Sequence, residues 1–156
     1  MCGATLLNKR YAVTAMHCVT DATNLVVAIG EHDIRRDIEN HQVQGIKVER
    51  VIKRADYDTS SINNDIAILR LSSEVQFNDN VIPACLPSDA TQQYVGRQAV
   101  VSGWGTTTEG GRTSDVLKET TVDILANSDQ SCVRGSQDNP VPDTKMCAYR
   151  YLLESS

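Results

Sequence analysis

Short apolar runs alternate with turn-rich gaps along the whole chain. Runs at Leu25–Ile29, Ile46–Ile52, Ile66–Leu71, Ala99–Trp104 and Leu117–Leu125 have the length of strands, and several are rich in Val and Ile. In the last run Lys118, Thr120, Val122 and Ile124 alternate with Leu117, Glu119, Thr121, Asp123 and Leu125, so neither face is wholly apolar. The gaps carry turn formers: Asn63-Asn64, Pro87-Ser88-Asp89, Gly110-Gly111 and Asn139-Pro140-Val141-Pro142. Helical signals are few. Asn127 or Ser128 is placed to cap a short helix reaching about Arg134, and a short turn is expected at Ala15–Val19. The pattern predicts an all-β chain of many short strands, sandwich or barrel, with a soft boundary in the polar stretch Pro83–Gly96.

Composition narrows the function classes. The chain has 156 residues, 40% hydrophobic and 22% charged, which is ordinary for a globular protein. Aromatic residues are only 4%, so the core has to be built from Val, Ile, Leu and Ala. No run of about 18 apolar residues is present, and the first residues show no apolar signal-peptide core. A net charge of -5 argues against a nucleic-acid partner, which requires a concentrated basic face. The five cysteines, at positions 2, 18, 85, 132 and 147, form no C-x-x-C pair. Spread singles of this kind suit disulfides in an oxidising compartment better than a zinc site. Five is an odd number, so one thiol is free or has its partner outside these residues.

Three segments carry candidate chemistry: Thr14-Ala15-Met16-His17-Cys18, Asn64-Asp65-Ile66-Ala67-Ile68-Leu69 and Val101-Ser102-Gly103-Trp104-Gly105. Taken singly, each admits a plain role. A His beside a Cys packs or sits at the surface, an Asp opening an apolar strand is a solvated strand end, and Gly-Trp-Gly is a strand end with a ring over flexible backbone. Their joint occurrence, in this order, is more specific.

Together with Cys2-Gly3-Ala4-Thr5-Leu6-Leu7, Ala84-Cys85-Leu86-Pro87 and Met146-Cys147-Ala148, these segments resemble the chymotrypsin/trypsin family of serine endopeptidases. Thr14–Cys18 is similar to the family's Thr-Ala-Ala-His-Cys, with Met16 in place of the second Ala. The likeness runs from Cys2 to about Ala148. It implies two antiparallel six-stranded Greek-key barrels with the active site in the cleft between them. Residues 1–82 would form the first barrel without its opening strand, 83–98 the connection, and 99–156 part of an incomplete second barrel.

The resemblance also implies roles. A serine hydroxyl is a weak nucleophile and needs a base, and an imidazole, with an ordinary pKa near 6.5, accepts and returns one proton near neutrality. By resemblance His17 is that base, and Asp65 is the carboxylate that fixes its tautomer. His before Asp obeys the family's chain order of His, Asp, Ser. The nucleophile's Gly-Asp-Ser-Gly-Gly segment does not occur in these residues, and neither does the Ile-Val-Gly-Gly opening of the mature domain. Ser155 and Ser156 have no glycine near them and are not expected to serve. The expectation is therefore a truncated protease domain, inactive alone and prone to aggregate, acting on polypeptides when complete. The alternative is a non-catalytic homologue that binds partners through its loops.

The resemblance pairs Cys2 with Cys18 and Cys132 with Cys147, leaving Cys85 unpaired in this chain. Relatives with Ala-Cys-Leu-Pro tie that cysteine to a light chain or propeptide; the other reading is a buried free thiol. Gly30-Glu31-His32-Asp33 is similar to the start of a calcium loop. Yet Ile38 and His41 stand near positions where calcium-binding relatives carry glutamates, so Glu31, Asp33, Asp37 and Glu39 read as a solvated acidic loop. His32 and His41 lack a second ligand pair for zinc. No cofactor or metal, no nucleic acid and no membrane partner is expected, and the compartment is extracellular. Lys9-Arg10, Arg35-Arg36 and Lys53-Arg54 read as surface charge open to tryptic nicking, and no N-glycosylation sequon is present.

Overall fold

The computed structural model describes residues 1–35, 43–89, 91–132 and 141–150. Eight strands and one 3₁₀ turn make up its regular structure, in the order β1 (Ala4–Leu6), β2 (Tyr11–Thr14), the 3₁₀ turn Met16–Cys18, β3 (Val26–Ile29), β4 (Gln44–Lys53), β5 (Ala67–Leu71), β6 (Gln98–Gly103), β7 (Lys118–Leu125) and β8 (Cys147–Tyr149). No α-helix occurs among the described residues. The protein is all-β, as its run lengths predict. The chain divides into two compact units, Met1–Ser88 and Asp89–Ser156.

The first unit holds a five-stranded antiparallel sheet ordered β1-β2-β5-β4-β3. Its hairpin β1–β2 turns through Leu7–Arg10, where the Asn8 side-chain oxygen accepts the N–H groups of Arg10 at 2.9 Å and Tyr11 at 3.0 Å. Asn side chains favour turns because they can satisfy backbone donors locally. β4 is long enough to serve two partners. Gln44–Lys47 pair with β3 and Val48–Lys53 with β5, with a register shift between Val48 and Arg50. Such an irregularity bends the strand and lets one sheet wrap around a core.

β5 lies in the middle of this sheet and alternates cleanly. Ala67, Leu69 and Leu71 are buried, while Ile68 and Arg70 are half-buried. The buried set feeds both core clusters of the unit. Ala67 and Leu69 pack with Ala12, Met16 and Val19. Leu71 packs with Ile29, Ile46, Val75 and Val81. Every member is aliphatic or Met, in keeping with the scarcity of aromatic residues.

The second unit is a three-stranded antiparallel sheet, β6-β7-β8, with β7 central. Ile124 on β7 is buried, whereas Val100 and Val101 on β6 are 63% and 53% exposed. β6 ends at Gly103, one residue before the expected Trp104. The expected helix from Asn127 or Ser128 is not formed within 127–132; its last residues, 133 and 134, lie outside the described residues. Two tight turns replace it, Asp129 N–H to Ala126 C=O and Cys132 N–H to Asp129 C=O, both at 2.9 Å. The reason is that the Asn127 amide is engaged elsewhere. Its nitrogen donates to the carbonyls of Pro142 and Lys145, and its oxygen accepts the Cys147 N–H. A side chain holding the 142–147 loop cannot cap a helix.

Candidate active site

The β2–β5 register explains how two residues 48 positions apart meet. Thr14, the last residue of β2, pairs with Ala67, the first of β5. Three residues beyond Thr14 is His17, and two before Ala67 is Asp65. Both therefore leave the same end of two neighbouring strands.

The turn bearing His17 is fastened on three sides. Ala15 is extended, Cys18 N–H bonds Ala15 C=O at 3.2 Å, and Val19 N–H bonds Met16 C=O at 3.0 Å. Met16 and Val19 are 6% and 3% exposed and sit in the core, so the turn is anchored from below while His17 faces solvent. Met16 thus uses its extra length as core. The Cys2–Cys18 disulfide joins the turn to the residues just before β1, and the Thr14 hydroxyl donates to Gly3 C=O at 2.7 Å. Cross-linking a loop of this size stabilises by about 3 kcal/mol in the chain-entropy picture.

Asp65 meets His17 twice. One carboxylate oxygen accepts the His17 backbone N–H at 2.8 Å. The other lies 2.6 Å from Nδ1 of the ring. An ionised carboxylate can only accept, so this contact places the proton on Nδ1. In the neutral ring Nε2 then carries the lone pair. The sulfur of Cys18 lies 3.4 Å from Nε2, but a disulfide sulfur has no proton to donate, so Nε2 keeps its lone pair. The two side chains differ in exposure, 57% for His17 against 19% for Asp65. The carboxylate is sheltered and the imidazole is accessible, which suits a base oriented from behind.

Burial pushes the Asp65 carboxyl up, but its bonds from the His17 amide and ring, the charge of His17 and the Met16 amide together hold it below the usual carboxylate value. Nearby Tyr57 is half-buried against the same core cluster. Burial first, then the charges of Asp65 and Asp58, push its phenol up.

The other expected residues are placed as follows. Cys132 and Cys147 are disulfide-bonded, and Cys85 is a free, exposed cysteine, so the buried-thiol reading is wrong. Ala84-Cys85-Leu86, between Pro83 and Pro87, is exposed. Glu31 accepts the His32 N–H at 3.0 Å and Asp33 accepts the Arg35 N–H at 3.1 Å. Asp37, Ile38, Glu39, His41, Ser155 and Ser156 lie outside the described residues. Cys2, His17 and Cys18 bring three ligand-type atoms within 4.8 Å of one another. Both sulfurs are tied in the disulfide, so this group offers no thiolate to a metal. Gly103 ends β6 and Trp104-Gly105 follow it, and Trp104 C=O accepts the Ser114 N–H at 3.0 Å. One residue of the site escaped sequence reading beyond its role as a turn former. Asn64, directly before Asp65, has φ 58° and donates its side-chain amide to Asp56 C=O at 2.9 Å. The Asn-Asn pair before an acidic residue was the available signal.

A sheltered carboxylate behind an accessible imidazole is an arrangement that can orient a general base. Residues 1–153 match the Trypsin family model, and the chain belongs to the trypsin-like serine protease family. It is 36% identical over 152 residues to Trypsin-1 of Astacus astacus, covering 94% of this chain and 62% of that protein. It is 41% identical over 128 residues to the serine protease filzig of Drosophila melanogaster, covering 81% of this chain and 8% of that protein. It is 37% identical over 134 residues to the inactive CLIP domain-containing serine protease A28 of Anopheles gambiae, covering 86% of this chain and 34% of that protein. The chain thus spans 8% to 62% of the length of these relatives.

Proposed function

We propose that the chain supplies the base and its orienting carboxylate to a secreted serine endopeptidase whose nucleophile lies on sequence beyond these residues. The observation that carries the reading is the double contact of Asp65 with His17, at 2.8 Å and 2.6 Å. In the acyl-enzyme cycle Nε2 of His17 removes the serine proton as the hydroxyl oxygen attacks the scissile carbonyl, then returns it to the departing amine. Water repeats the sequence to release the acid. Asp65 keeps the proton on Nδ1 and stabilises the imidazolium without becoming protonated. Two disulfides suit an oxidising compartment, and no helix among the described residues is long and apolar enough to cross a membrane. Exposed Cys85 is available to a light chain or propeptide. Barrel boundaries at 1–82, 83–98 and 99–156 remain part of this proposal.

The second reading is a non-catalytic homologue acting by binding. It is favoured by the likeness to the Anopheles gambiae protein whose name calls it inactive. An intact His17–Asp65 couple favours the first, since binding alone has no need of it.

The 156-residue chain holds no Gly-Asp-Ser-Gly-Gly segment, and the oxyanion donors belong to that segment in the family. Loss of a single oxyanion donor costs on the order of 10²–10³ in rate, so the purified chain is expected to turn over no peptide ester or amide. Turnover blocked by a serine-directed inhibitor would contradict this. Reading the transcript onward separates the two functions: Gly-Asp-Ser-Gly-Gly supports the protease, and Gly in place of that Ser supports the homologue.

A further inference from the structure

The loop before Asp65 is closed on itself. Asp58 N–H bonds Asn63 C=O at 3.1 Å, and the Asp58 carboxylate accepts the Ser60 N–H at 2.9 Å and the Ser61 hydroxyl. Arg54 grips Asp56 with two nitrogens, at 2.6 Å and 3.0 Å. The Asn64 amide then reaches back to Asp56 C=O at 2.9 Å. The Asn64 backbone is left-handed at φ 58°, a conformation Asn tolerates better than most residues with a Cβ. On its other side the Ile66 N–H bonds Asn64 C=O at 2.8 Å, which makes Asp65 the apex of a three-residue turn.

We propose that Asn64 is a positioning residue for the His17–Asp65 couple, its side-chain clamp on Asp56 and its left-handed backbone together aiming the Asp65 carboxylate at the His17 amide and ring. The two contacts made by Asp65 demand a single carboxylate orientation, because one oxygen meets a backbone N–H and the other a ring nitrogen. Asp65 itself is in a short turn and not in a strand, so no sheet ladder holds it. Orientation has to come from the residues flanking the apex. Ile66 is 45% exposed and enters β5 directly, which leaves Asn64 as the flank with a fixed side-chain anchor. The same clamp ties the Asp65 turn to the Arg54–Asp56 pair. This inference rests on the protease reading for its importance, but its test does not need a nucleophile.

The test uses the 156-residue chain with both disulfides formed, comparing the native protein with Asn64→Gly and Asn64→Ala. Gly removes the clamp and keeps the left-handed backbone; Ala removes the clamp and strains the backbone as well. Two NMR readouts are followed: the titration midpoint of the Asp65 carboxyl and the solvent exchange of the His17 Nδ1 proton. Expected for Asn64→Gly are an Asp65 midpoint moved up toward the ordinary value of 3.8 and Nδ1 exchange roughly fivefold faster, the size of effect of one lost hydrogen bond. Asn64→Ala should move both further in the same direction. If Asn64→Ala fails to fold, Asn64→Gly alone decides. Native values of both readouts in Asn64→Gly overturn the proposal, whether or not its melting temperature falls, because a fall alone would assign Asn64 to loop stability. A longer protein with an inert active site would defeat the protease reading and leave this result standing.

Discussion

Met16 and His17 are neighbours with opposite environments, one in the core and one in solvent, and the 3₁₀ turn between β2 and β3 is what separates them. An imidazole held by its neighbours needs few contacts of its own. Its ring meets the Asp65 carboxylate at Nδ1 and lies near the Cys18 sulfur at Nε2, and the Asp65 contact sets a pH dependence whose sign is definite. The Asp65 carboxyl is held below its ordinary value in the folded chain. Its contribution to stability is therefore complete above the unfolded value near 3.9 and fades as pH falls through the lower, folded midpoint. Carbon-detected titration should show Asp65 with a midpoint below 3.8, and Asp65→Asn should flatten the acid limb of the stability curve. A midpoint at or above 3.8 would mean that the carboxylate does not hold the ring in solution.

At the scale of elements, β5 is legible as an apolar run whose burial alternates, and β3, β4, β6 and β7 lie within one or two residues of expectation. β1 and β8 are three residues long, too short for a period of two to register, and β2 (Tyr-Ala-Val-Thr) lacks the Val- and Ile-rich run that marks β3 at the same length. Tyr11–Thr14 is defined by pairing with β5, a contact nearly sixty residues away, and not by its own pattern. The cap signal at Asn127 yields no helix within 127–132 because that side chain serves the 142–147 loop, a contact invisible to local cap chemistry. His17, Asp65 and the disulfide cysteines were legible through family resemblance; their geometry follows from the β2–β5 register, which no local pattern reveals. β6 supplies an element-scale prediction. Among the described residues it pairs only with β7, and Val100 and Val101 are exposed on it. An exposed apolar edge strand templates association, and a lysine blunts it. Val100→Lys should lower self-association of the chain in sedimentation experiments, and an unchanged oligomer distribution would show that association runs through another surface.

For the whole molecule, the match of residues 1–153 to the Trypsin family model places the chain in the trypsin-like family, while its length matches only part of the related proteins. The His17–Asp65 couple lies within the first unit, Met1–Ser88. The most direct measurement is hydrolysis of a peptide ester by the longer protein that carries this chain and a Gly-Asp-Ser-Gly-Gly segment, native against Asp65→Asn. The account predicts that the native protein is active and that the substitution lowers kcat on the order of 10⁴-fold with KM little changed, the cost of the same change in the family's reference protease. Equal kcat in the two proteins would contradict it, because the carboxylate would then have no part in orienting the base.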